Sequence, residues 1–412
     1  MKVSRYLFSP LLVYGLFFFL MYLYFFVNFF FTGIDYVDII SRMTYTYRTP
    51  ISKIFLYNLF CLIGFIIGVW ISSKRKSNSY VFLKVDVRLK NIVYRWYLVL
   101  FLITFLVQMG IFAVAGGNIA NNDQIGGLYT LVQIHIFYTS IFSISLFYLT
   151  NKQQRRVVFF TSSLYVFLLF INGVRSPALE LLVVYFFYFV LKNSISYKHL
   201  LFAFVSFIFL NFMADIRQGK TFSELYADSD GFLDFVLSYV YFEYSLVMIN
   251  IEAEALAAYS FFSSNNFLFG FTLLGAIFGS IPFYSLIGLN GVVFYFMNPA
   301  LDIAYEWLPN LKGSVGLGSA LPGEFYMNFG YFGSILFIPI GFFLNQLYKG
   351  FLLLKDYQDR LLLAVLYPLI LVKSMLLLRN GFATSIKGFI YLYLIIFLIK
   401  GLTGIKFFKF YK

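Results

Sequence analysis

Ten apolar runs, each close to the length of a bilayer crossing, govern what this chain can fold into. A helix spanning hydrocarbon needs roughly 20 mainly apolar residues, because its backbone hydrogen bonds must all be satisfied within the segment. The runs cover residues 7–31, 51–71, 92–114, 128–149, 157–172, 177–191, 199–213, 331–347, 361–378 and 384–402. With 61% hydrophobic and only 12% charged residues, the chain holds far more apolar surface than one water-soluble core can hide. The expectation is an all-α, polytopic membrane protein of about ten transmembrane helices, up to 12 if two further segments cross. The first run is too long, and lacks a small-residue cleavage site, for an ordinary removed signal peptide.

The formal net charge of +13 is then a statement about topology rather than a nucleic-acid footprint. With the N-terminus in the cytoplasm, 21 of the 31 Lys and Arg residues fall on the cytoplasmic side, but only Asp86, Asp356 and Asp359 of the 18 acids do. Both termini come out cytoplasmic, in agreement with an even number of spans. No nucleic-acid partner is expected; the bilayer itself is. Cys61 is the single cysteine and His135 and His199 are the two histidines, which excludes a disulfide framework and leaves little for a zinc site.

One integral membrane domain, 1–412, is expected, with a large outer-face loop at 214–330 between the seventh and eighth spans. Its first part, 215–258, is acidic and amphipathic. Its second, 267–297, is apolar but broken by Gly270, Gly275, Gly279 and Pro282, and reads as a re-entrant or interfacial hairpin or as a pair of spans. Its last part is Gly-rich and runs into the eighth span. There Glu324, Tyr326 and Asn328 alternate with apolar neighbours in Gly323-Glu-Phe-Tyr-Met-Asn-Phe-Gly330. A carboxylate at that depth is expensive unless it is paired or functional. A solvated interfacial turn is the plainer reading.

Four cations stand near the outer ends of spans, against the charge bias: Arg175, Arg217, Lys312 and Arg379. Guanidinium groups give rigid, bidentate recognition of phosphate oxygens, so the set suggests a site for a lipid-linked phosphate or pyrophosphate. Snorkelling to headgroups explains any one of them alone. Glu180, five residues after Arg175, is a candidate to pair with it, and Lys373 and Lys387 flank Arg379. Asp35/Asp38 and Asp228/Asp230 read as solvated acidic pairs. No nucleophile elbow, zinc-protease pair or phosphate-binding loop occurs, and no metal or cofactor is expected.

These features together resemble the Wzy-type O-antigen and polysaccharide repeat-unit polymerases. The likeness is carried by the span count, the Arg-bearing turn 172–177, the Arg after the next outward span, the late outer loop and the segment 323–333 that re-enters the membrane. It implies a GT-C-type membrane glycosyltransferase of the bacterial inner membrane that joins oligosaccharide repeats carried on undecaprenyl pyrophosphate, in O-antigen, capsule or exopolysaccharide synthesis. It also implies a chain-length regulator as partner. The related ligases usually carry a histidine in the large loop; residues 214–330 hold none. Neither Arg175 nor Arg217 has the spacing of an Arg, ten residues and a Gly found in some members' outer loops. On this reading Glu324 is the general base and Arg217 the catalytic cation, with Arg175, Arg379, Lys312, Tyr326 and Asn328 binding substrate. The competing readings are a lipid-linked saccharide flippase or transporter, and another GT-C transferase or a ligase.

Overall fold

Apolar runs that must satisfy their own backbone become helices, and helix is the regular structure found throughout the described residues. The computed structural model describes residues 5–19, 51–75, 87–115, 138–146, 151–171, 175–191, 267–281, 321–352 and 367–375, with isolated positions between and beyond them. A 3-10 turn at Arg5–Phe8 leads into α1, Pro10–Phe18. Then come α2, Ile51–Lys74; α3, Val87–Ala115; α4, Lys152–Ile171; and α5, Arg175–Leu191. A nine-residue α6, Phe271–Gly279, is followed by α7, Leu321–Phe329, a 3-10 segment Gly330–Leu336, and α8, Phe337–Leu352. Residues 138–146 and 367–375 are also helical. No strand occurs among the described residues.

Three stretches are long and apolar enough to cross a bilayer: Phe55–Lys74, Asn91–Gly110 and the 32-residue Leu321–Leu352. The sequence limits for the second, third, fifth and sixth spans agree with α2 to α5 to within a few residues. The eighth differs. Its helix begins at Leu321 rather than at residue 331, so the end of the Gly-rich stretch is helical rather than a turn. Pro322 fits there because first-turn amides have no intrahelical acceptor to lose. The break at Gly330–Leu336 also has local causes. Gly330 takes φ +59°, and Pro339 further on cannot donate the next backbone bond. In the apolar stretch 267–297, α6 spans nine residues, or about 13 Å, too short to cross a bilayer.

The central packing event is α2 against α8. Gly64 and Gly68, one turn apart on α2, and Gly341 on α8 let the two backbones touch. A Cβ on Gly64 would stand 2.8 Å from the Ser334 carbonyl oxygen, and one on Gly68 2.8 Å from the Phe342 nitrogen. Small residues four apart are how helices approach closely in lipid, where no hydrophobic force drives them together. Polar ties extend the seam. Asn345 Nδ2 donates to the Val69 carbonyl and to Ser72 Oγ, each at 3.1 Å. Lys349 Nζ donates to the carbonyls of Ser72, Ser73 (2.9 Å) and Arg75 (2.8 Å), closing the C-terminal end of α2. The last carbonyls of a helix lack intrahelical donors, and of these three the Ser72 carbonyl also accepts from the Arg75 amide at 3.2 Å.

Aromatic rings fill the space around this seam. Tyr14 of α1 stacks on Phe65 of α2 at 4.4 Å, and Phe18 meets Phe337 edge-on at 5.7 Å. Phe187 of α5, Phe351 of α8 and Tyr367 pack together with Phe8. On the other side, Tyr97 of α3 bonds Thr161 Oγ1 of α4 at 2.6 Å, and Phe159 of α4 stacks on Tyr185 of α5 at 5.1 Å. Large apolar side chains such as Trp96, Leu102, Leu106 and Phe160 face outward, as they do in a protein solvated by lipid.

Candidate functional site

Glu324 is in the first turn of α7, where the helix dipole favours a carboxylate. It is nevertheless buried, at 1% exposure, as are residues 321–328 on every side of the helix. A buried carboxylate must find donors. Thr272 of α6 supplies one, from Oγ1 to Glu324 Oε1 at 3.2 Å. Asn328, one turn further along α7, donates Nδ2 to Thr272 Oγ1 at 2.6 Å and to the Glu324 carbonyl at 2.8 Å. Its Oδ1 accepts from the Gly270 amide at 2.9 Å. Glu324, Thr272 and Asn328 thus form one polar network.

The network also fixes the backbone. Gly270 is the N-cap of α6 with φ +89°, and its own side chain offers no cap. Asn328 Oδ1 instead accepts from the Gly270 amide itself, just ahead of the helix. In return, the Leu268 and Phe269 amides donate to the Met327 and Asn328 carbonyls at 3.1 and 2.9 Å, capping the end of α7. Phe269 is held at φ +46°, a region costly for a non-glycine residue by about 1–3 kcal/mol. The segment 267–270 and the end of α7 therefore cap each other.

Tyr326 lies beside the network but is turned into an aromatic cluster. Its ring meets Tyr57 at 4.9 Å, Tyr331 at 5.8 Å and Phe267 at 6.4 Å, all edge-on. The Tyr57 hydroxyl donates to the Pro322 carbonyl at 3.0 Å, which ties α2 to the start of α7. Tyr326 is 2% exposed and Tyr331 37%, so Tyr331 is the most exposed ring of this cluster.

A second buried polar group lies among α4, α5 and the residues near 135 and 373. Lys373 Nζ donates to Glu180 Oε1 of α5 at 2.5 Å. The pairing partner of Glu180 is thus Lys373, where the spacing along α5 had suggested Arg175. His135 is buried between hydroxyls, with Tyr165 at 3.0 Å from Nδ1 and Thr139 at 3.0 Å from Nε2, as expected of a packed core histidine.

Of the candidate residues, the structure brings Glu324 and Asn328 into one network with Tyr326 adjacent, and makes Arg175 the first residue of α5. Arg217, Lys312 and Arg379 lie outside the described residues, as do Lys387 and His199. Thr272, Tyr331 and the Glu180–Lys373 pair were not singled out by sequence as parts of these sites. Thr272 had a signal: it is the one hydroxyl in the apolar run from Phe267 to Gly279.

No individual characterised protein and no solved structure matches the chain. The family of O-antigen polysaccharide polymerases, Wzy, matches residues 2–411, nearly the whole length. That agrees with the all-helical fold and its bilayer-length apolar helices, and the chain belongs to the Wzy O-antigen polysaccharide polymerase family.

Proposed function

We propose that this protein joins oligosaccharide repeat units carried on undecaprenyl pyrophosphate, at the outer face of the bacterial inner membrane. The observation that carries the reading is the family match over residues 2–411. We further read the chain as one membrane domain of about ten spans with a GT-C-like arrangement, both termini in the cytoplasm, and the loop 214–330 outside. A chain-length regulator is the expected protein partner.

In this reaction a hydroxyl oxygen of the incoming repeat attacks the anomeric carbon of the growing glycan. The bond from that carbon to the pyrophosphate oxygen breaks, and the lipid pyrophosphate leaves with the electron pair. The acceptor proton passes to a base. Glu324 is our choice for that base, supported by its burial and by the hydrogen bond from Thr272 that orients it. Asn328 positions it through the shared Thr272 hydroxyl. Arg217, with Arg175, Arg379 and Lys312, takes the pyrophosphates, where negative charge develops in the transition state. Tyr326 supports the sugar-binding wall from behind, and Tyr331 is the exposed ring of that wall.

The test is reconstitution of the full chain with lipid-linked repeat units, followed by sizing of the products. Wild type yields polymer, whereas Glu324→Gln and Arg217→Ala reach the membrane at normal levels and leave single repeats. Long-chain glycan from both variants overturns the residue assignment. Transbilayer movement of the lipid without polymer overturns the polymerase reading in favour of a transporter.

A further inference from the structure

Phe269 combines two features that no other described residue shares. It is the most exposed large apolar side chain among the described residues, at 82%, and the one non-glycine residue among them with a positive φ, +46°. Glycine or asparagine would take that left-handed conformation at lower cost, as Gly270 beside it does at φ +89°. The backbone there is fixed. The Leu268 and Phe269 amides donate to the Met327 and Asn328 carbonyls at 3.1 and 2.9 Å, the Gly270 amide to Asn328 Oδ1 at 2.9 Å, and the Phe271 amide to the Leu268 carbonyl at 2.9 Å. Four consecutive amides thus hold Phe269 at one place beside the end of α7. Glu324 stands one helical turn, about 6 Å along the axis, before Asn328. A ring so exposed packs on little of the protein and returns little stability for the strain. Strain that the surroundings enforce without such a return marks functional positions.

Contact with lipid does not account for the ring. Phe160 and Phe332 are nearly as exposed, and neither has a positive φ. Any apolar side chain on ordinary backbone serves a bilayer. What a rigidly placed phenyl adds is a flat face of negative charge density, which attracts the weakly positive C–H groups on one face of a sugar ring. The place suits that use. Phe267, two residues earlier, lies against Gly330, where an added Cβ would stand 2.8 Å from its Cζ, and Gly330 leads directly into Tyr331. Phe269 and Tyr331 therefore flank one contact, next to the network that holds Glu324. We propose that Phe269 is a stacking platform for a sugar ring of the lipid-linked repeat, set at a fixed distance from Glu324. This rests on the polymerase reading above, in which Glu324 is the base, and makes Phe269 a binding residue rather than a reacting one.

The experiment uses the full chain in lipid nanodiscs and reads binding and polymer formation together. Its probes are the lipid-linked repeat that accumulates in cells lacking this protein, and undecaprenyl pyrophosphate without sugar. Phe269→Leu keeps an apolar side chain on the same backbone but has no aromatic face. Phe269→Gly also releases the strain, and Phe269→Tyr keeps the face. The expected result is a Kd and a KM for the repeat raised about tenfold in the Leu and Gly variants and within about threefold of wild type in the Tyr variant. Binding of the sugar-free lipid stays unchanged, and Phe269→Gly melts at or above the wild-type temperature. Wild-type affinity of Phe269→Leu for the repeat overturns the proposal, since the ring then serves lipid alone. Equal weakening toward both lipids overturns it too, since the contact is then with the carrier. So does a Tyr variant as weak as the Leu variant. A Phe269→Gly that melts below wild type leaves the decision to Phe269→Leu, whose raised Kd supports the platform and whose wild-type Kd overturns it. A wild type that makes no polymer overturns the polymerase reading, and the comparison of the two lipids still decides on Phe269.

Discussion

Thr272 donates its hydroxyl to Glu324 Oε1 across 3.2 Å, and so joins two helices whose contact residues are 52 positions apart. That hydroxyl also accepts from Asn328 at 2.6 Å, which makes it the hub of the network. Thr272→Val keeps the volume and removes the hub. Glu324 then loses one donor and Asn328 one acceptor, at a cost of about 1–3 kcal/mol for each buried group left short. The expected outcome is a lower melting temperature in detergent and little polymer, with Thr272→Ser close to wild type in both. Val and Ser behaving alike would show that the hydroxyl is idle.

Asn58 is fully buried on α2, one residue after Tyr57, and neither of its amide atoms has a hydrogen-bond partner among the described residues. Replacing an unsatisfied buried amide by an apolar group of similar shape removes a desolvation cost of about 1–3 kcal/mol. Asn58→Leu should therefore raise the thermal midpoint of the purified protein by several degrees. A fall in the midpoint contradicts this account of the site.

The glycine seam makes the opposite prediction. A Cβ at Gly68 has the Phe342 nitrogen at 2.8 Å and the Ile338 carbonyl closer still, both backbone atoms that cannot rotate away. Gly68→Ala should destabilise by about 1–3 kcal/mol or more, as overpacking does. Gly110→Ala, on α3 with nothing near its would-be Cβ, is the matched control and should be neutral or slightly stabilising. Size-exclusion profiles and melting curves of the two variants decide the matter.

Lys349 closes the end of α2 with bonds to three carbonyls and a favourable charge at the negative end of the helix dipole. Lys349→Met keeps the stem and removes the ammonium. We expect a loss of about 1–2 kcal/mol, read as faster amide exchange over the last turn of α2, with polymer length unchanged. Exchange at wild-type rates would mean that water replaces the lysine without cost.

The helices were legible because a bilayer leaves the backbone few options. Ile51–Lys74 and Val87–Ala115 are helical where unbroken apolar runs lie in the sequence. Legibility stopped where a choice depended on a partner distant in the chain. Glycines in the stretch before Tyr331 suggested a turn, but Leu321–Phe329 is helical because α2 and α6 enclose it. Glu180 was close to Arg175 in sequence, yet its bond is to a lysine 193 positions away. Glu324 and Asn328 stood out by type, whereas the threonine that joins them was marked only as the lone hydroxyl of an apolar run, and its role appears in space.

The 3-10 segment between α7 and α8 has a geometric consequence. An α-helix turns about 100° per residue and a 3-10 helix about 120°, so the seven residues from Gly330 to Leu336 accumulate a phase difference of about 140°. A single helical wheel drawn through Leu321–Leu352 thus misassigns one half: if the glycine side of α8 is set toward α2, Glu324 and Asn328 come out on the wrong azimuth. Deleting or inserting one residue between Gly330 and Leu336 would swing the carboxylate about a third of a turn around its axis relative to the Gly68–Gly341 part of the seam.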